Sequence, residues 1–165
     1  MQIIHTPDET VEYDAYNPVI KRWFALRGTD DHIPLLETFL HEEWDVNEYS
    51  MVAQVMSSPI KVKYTSAGAK LESLYGKPIA GKMLDDLFNE WFRKRAYEGY
   101  KNMLTERLPV YEQRSFSTIK GKLGYYKLYL PFDEGRHAIT YIIPSNPKFR
   151  KRMDWEQIVK KTPWL

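Results

Sequence analysis

Residues 64–87 read YTSAGAKLESLYGKPIAGKMLDDL, and no other stretch restricts the fold so tightly. A strand-like end runs into a short helical pattern. Gly76 and Gly81 then bracket Pro78, and a second helical pattern opens. Glycine takes positive φ, or lets another backbone pass close, at little steric cost; Pro78 fixes one φ and discourages a single continuous helix. The segment predicts a short helical crossover laid over one face of a sheet, with space beneath it. Such a layout implies the sensing of a ligand or partner, and the segment itself holds no active site.

Length and composition narrow the class. A chain of 165 residues predicts one domain with a core able to fold alone. Hydrophobic content of 43% and aromatic content of 15% exclude a disordered chain. No apolar run approaches the roughly 18 residues needed to cross a bilayer. The acidic start MQIIHTPDETVEYDAY lacks the h-region of a signal peptide, so a cytoplasmic protein is expected. A net charge of only +2 argues against a general nucleic-acid binder. The chain has no cysteine, which excludes disulfides, thiolate ligands, cysteine nucleophiles, thiol-adduct flavin and cysteine-linked chromophores.

Residues 1–15 read as a loosely attached arm. Asn17-Pro18 predicts a helix start, with Asn17 as N-cap and proline in the first turn. Val19, Ile20, Trp23, Phe24 and Leu26 follow at helical spacing, and Gly28 is placed to stop the helix. Pro34 opens a second amphipathic segment, with Leu35, Leu36, Phe39 and Leu40 on one side. Strands are expected over 51–56 and 60–65, joined by a Ser-Ser-Pro turn. A short helix over 67–74 and a long one over 84–104 come next. Strands over 110–119, 125–132 and 137–143 close the pattern, with Tyr126, Leu128, Leu130 and Phe132 sharing one face. A leading pair and a trailing trio of strands around helices predict an antiparallel α+β fold. The domain spans 16–144, and 145–165 is a basic amphipathic tail.

Three pieces of sequence carry a resemblance. They are Trp23-Phe24-Ala25-Leu26-Arg27-Gly28, then Gly68, Leu71, Tyr75, Gly76 and Gly81, and last Leu130-Pro131. In that order and spacing, across 16–144, the chain resembles a family of bacterial stand-alone PAS-like proteins. The resemblance implies a five-stranded antiparallel sheet, a helical crossover on one face between strands two and three, and extra N-terminal helices. It also implies sensing, dimerisation or regulation of a signalling partner. Thr65, Ala69 and Pro78 depart from the family pattern, so no particular ligand is implied.

A pocket under the crossover is expected to be lined by Leu71, Tyr75, Leu84, Phe88, Phe92, Leu128, Leu130 and Tyr141; the alternative is that these side chains simply fill a core. Trp23 and Phe24, with Trp155 and Ile158 of the tail, are the candidate surfaces for a homodimer or a signalling partner. The tail's other reading is a helix packed back on its own domain. Haem held by histidine is disfavoured: the helix over 84–104 has none, and His5, His32, His41 and His137 lack metal-ligand spacing. An enzyme would have to be built from Asp85, Asp86, Glu90, Asp133, Glu134 and His137, which match no catalytic motif, so no activity is expected. Enzyme and ligand-free adaptor are the competing classes.

Overall fold

The computed structural model describes residues 1–29, 31–87, 89–150 and 155–165, with Glu156 by its backbone alone. Six antiparallel strands form one sheet in the order β1-β4-β5-β6-β2-β3. Their ranges are β1 Gln2–Ile3, β2 Ser50–Ser57, β3 Ile60–Ala67, β4 Val110–Thr118, β5 Gly121–Phe132 and β6 His137–Pro144. The helices are α1 Asn17–Arg27, α2 Leu36–Phe39, α3 Ala69–Tyr75, α4 Leu84–Leu87, α5 Glu90–Glu106 and α6 Trp155–Lys160. Without β1, this is a five-stranded antiparallel sheet with the helical crossover α3-α4-α5 between its second and third strands. That is a PAS-like α+β fold.

The crossover forms as its glycines require. Gly76 ends α3 at φ 69°, and its N–H donates to Glu72 O at 2.9 Å. The chain then returns along the outer edge of β3, where Tyr64 exchanges hydrogen bonds with Gly81 and Lys82. That pairing covers part of an edge otherwise open to another strand.

The long helix expected over 84–104 is two helices. Asn89 adopts extended backbone and its Oδ1 accepts from Phe92 N at 3.2 Å, which caps α5 and separates it from α4. The arm also differs from expectation. Asn17 is the first residue of α1 and not its cap; its side chain bonds the backbone of Val11, accepting from N at 2.9 Å and donating to O at 3.3 Å. This holds the arm against the domain, Ile4 and Val11 are buried, and β1 adds a sixth strand beside β4.

Both faces of the sheet are covered. On one, the crossover helices and α6 pack on Met51, Val62, Tyr64, Tyr129 and Ile142. On the other, α1 and the arm pack on Tyr111, Leu128, Leu130, Phe132 and Tyr141. Successive residues of a strand alternate faces, so β5 splits into two rows. Leu128 and Leu130, together with Tyr141 of β6, therefore lie against α1 and not beneath the crossover, which corrects their expected place in the pocket.

Candidate functional site

The crossover side of β5 carries Tyr125, Lys127 and Tyr129. Register places Arg114, Glu112 and Val110 of β4 opposite these three, and Ile142 of β6 on the other flank of Lys127. A charged pair, Glu112 with Lys127, thus sits in the middle of the sheet beneath α5 and α6. Both are buried, at 1% and 7% exposure. Burial of a charge is costly unless it is paired and hydrogen-bonded, so such a placement calls for a partner.

The partners present are incomplete. Glu112 Oε2 stands 3.6 Å from Arg114 Nε, yet neither of its oxygens accepts a hydrogen bond. The Lys127 ammonium makes no hydrogen bond and no ion pair within 4 Å among the described residues; it lies 4.7 Å from the centre of the Tyr129 ring. The Tyr129 hydroxyl and Trp155 Nε1 are buried without partners as well. Burial pulls the Lys127 amine down to about 8; Glu112 opposes that shift and Arg114 adds to it. Burial likewise pushes the Tyr129 and Tyr64 phenols well up.

Lys127 and Trp155 line one small cavity of 20 Å³, with Tyr75 and Phe92 from the crossover and Arg95 from α5. That is room for about one water molecule. Trp155 is what fills the rest. It is 1% exposed and its ring centre lies 5.7 Å from that of Tyr75. Beyond it, Val159 is buried, Thr162 Oγ1 accepts from Ile119 N at 3.3 Å, and Trp164 Nε1 donates to Ser117 O at 2.8 Å. The tail is a packed part of the domain, and Trp155 is an interior residue where a docking surface was expected; Ile158 beside it is half-buried.

The remaining expected residues divide as follows. Leu71, Tyr75, Leu84 and Phe92 share the crossover core, but only Tyr75 and Phe92 reach the cavity. Phe88 lies outside the described residues. Trp23 and Phe24 are 0% and 6% exposed in the core beneath α1, which corrects their assignment to a partner surface. Lys127, Glu112 and Arg95 were not expected here. The signal was a lone lysine within Tyr125-Tyr126-Lys127-Leu128-Tyr129, a strand apolar on both faces.

Three of the acidic residues considered for catalysis, Asp85, Asp133 and Glu134, hold structural contacts. Asp85 accepts from Tyr97 Oη at 2.6 Å and Lys61 Nζ at 2.9 Å, and those two bonds lower its pKa. Asp133 Oδ2 is 2.8 Å from His137 Nδ1, and its Oδ1 accepts from Leu36 N at 3.3 Å. Glu134 pairs with Arg107 at 2.6 Å. No group of three His, Asp or Glu with metal-ligand placement occurs among the described residues, nor any helix long and apolar enough to cross a membrane.

No family model matches the chain, and no curated protein does. Its backbone is similar to the structure of an RNA-binding light-oxygen-voltage receptor, with a TM-score of 0.41 and 16% identity over 81% of this chain. The chain spans 40% of that receptor's length. The fold assignment rests on the strand order and crossover described above.

Proposed function

We propose that the chain is a sensory module of the stand-alone bacterial PAS-like kind, which binds a small ligand under its crossover and reports it through α6. The observation behind this reading is that Trp155, supplied by the C-terminal segment, forms a wall of the interior cavity. A ligand ring and the Trp155 ring compete for one space. Binding therefore shifts a population from α6 packed to α6 released, by as much as the ligand's preference for the released state. Release bares Val159 beside Lys160 and Lys161, an apolar and basic surface suited to an acidic signalling partner. No turnover is involved in this reading.

Indole tests it, because indole is the ring that Trp155→Ala removes. In the full chain, W155A should raise hydrogen exchange across 155–160 while β4 to β6 stay protected, and added indole should bind and restore protection. Wild-type protein, already filled, should bind indole at least about tenfold more weakly, a difference of one ring's worth of competition. Failure of folded W155A to bind indole would overturn the reading.

A further inference from the structure

We propose that Lys127 is a covalent attachment point, whose ε-amine captures an aromatic aldehyde as a Schiff base in the space between sheet and crossover. This rests on the interior being the ligand site. It adds a chemical class to the ligand and a role to a residue so far without one.

Three observations converge on Lys127. Its side chain lines the cavity beside Trp155, with Tyr75, Phe92, Tyr64 and Tyr125 making the other walls aromatic. A planar ring taking the Trp155 seat would meet ring faces and edges there. The ammonium has no hydrogen bond or ion pair within 4 Å among the described residues, so no existing bond has to break before it reacts.

The third observation is chemical. Burial brings the amine down to about 8, so at neutral pH its uncharged, nucleophilic form is far more abundant than on an exposed lysine. The groups facing it are Glu112 and Arg114 of β4, Tyr125 and Tyr129 of β5, Arg95 of α5 and Tyr64 of β3. Glu112 is directly across the ladder, where opposite Cβ atoms lie about 4.5–5.5 Å apart, and both its oxygens are free of hydrogen bonds.

The step balances without an oxidant or reductant. The neutral nitrogen attacks the carbonyl carbon, an N–C bond forms, and the C=O π pair moves to oxygen, which takes up a proton. Nitrogen gives up its extra proton, for which Glu112 is the nearby acceptor. The C–O bond then breaks, water leaves with a returned proton, and the nitrogen lone pair closes the C=N bond. The iminium then gives up its remaining N–H proton, which replaces the one oxygen first took up, and amine and aldehyde have become imine and water.

The test uses the full chain, wild type and W155A, with benzaldehyde and cyanoborohydride to fix any imine, read by intact mass and peptide mapping. The W155A protein should take one benzyl group at Lys127 at least about tenfold faster than at any exposed lysine, given a difference of some two pKa units. The rate at Lys127 should level off at a lower pH than the rate at exposed lysines, because burial lowers its amine. Wild-type protein should react more slowly at the same residue, and Lys127→Arg, which keeps the charge, should lose the fast adduct alone. Peptide mapping of W155A decides the matter even if the arginine variant misfolds. Benzylation spread over exposed lysines, with Lys127 unmodified, overturns the proposal. If indole still binds W155A in that case, the interior site stands without its covalent chemistry; if indole also fails, both readings fall.

Discussion

Trp23 Nε1 donates to the carbonyl oxygen of Pro131 at 2.8 Å, within the buried core beneath α1. The two residues belong to sequence pieces 108 positions apart that carried the family resemblance. The bond shows what such a pairing does: it fixes α1 to the end of β5, beyond Tyr129, the last residue there that pairs with β4, where a buried carbonyl needs a donor.

Trp23→Phe keeps most of the apolar volume and orphans the Pro131 carbonyl, so unfolding free energy should drop by about 1–3 kcal/mol. Trp23→Ala adds a cavity and should cost about 3–5 kcal/mol. Urea titration measures both, and the mass of the native species should not change. A variant that altered that mass at unchanged stability would restore Trp23 to a surface role.

Asn17 makes a separable prediction about the arm. Asn17→Ala removes two hydrogen bonds to Val11 and leaves that backbone, partly buried, without donor or acceptor. A loss of about 1–2 kcal/mol is expected, with faster hydrogen exchange at Ile4, whose N–H donates to Pro109 O at 3.0 Å. If exchange at Ile4 is unaltered, strand pairing alone holds the arm.

Gly99 is where α5 rides on the sheet. A Cβ there would lie 2.1 Å from Cζ of Tyr129, whose ring is itself packed against Tyr100 at 5.2 Å. Alanine in a helix is favoured over glycine by about 1 kcal/mol, but forcing an overlap of this depth costs about 1–3 kcal/mol or more. The overlap wins, and Gly99→Ala should destabilise. Tyr129→Phe should not relieve it, because the ring remains; Tyr129→Leu should. A double-mutant cycle that returned no coupling would refute the contact.

These elements also mark how far the sequence could be read. Element order and the glycine crossover followed from local rules: proline, positive φ and two-residue periodicity act within a few residues. The break at Asn89 was legible in principle, since an asparagine directly before a glutamate and an apolar-periodic run is an N-cap signature, but the 3.6-residue pattern ran through it. The two rows of β5 were also visible. Which row faced the crossover was not, because a sheet buried on both faces carries apolar residues on both. Choosing the more apolar row put Leu128 and Leu130 in the wrong layer, and hid the Glu112–Lys127 pair that the other row contains. Trp155 and Ile158 were read as a docking face for a related reason. An amphipathic helix has the same pattern whether it packs on its own domain or on another.

Lys127 gives the stability of the fold a pH dependence with a definite sign. Its folded pKa, about 8, is below the ordinary lysine value, so between about pH 8 and 10 the unfolded chain binds more protons than the folded one. Stability therefore rises with pH across that window, as the folded amine becomes neutral. At about 1.4 kcal/mol per pKa unit, full relief is on the order of 3 kcal/mol. The buried phenols of Tyr64, Tyr100 and Tyr129 act oppositely: their folded values lie above the ordinary one, so above about pH 10 unfolding releases protons and stability falls. The expected curve climbs from pH 8 and turns down past pH 10. Lys127→Met replaces the amine by an apolar chain of similar length and should remove the climb while leaving the fall. Urea midpoints from pH 7 to 10.5 in both proteins provide the comparison. A wild-type curve flat between pH 8 and 10 would mean that the Lys127 ammonium is solvated or paired in solution.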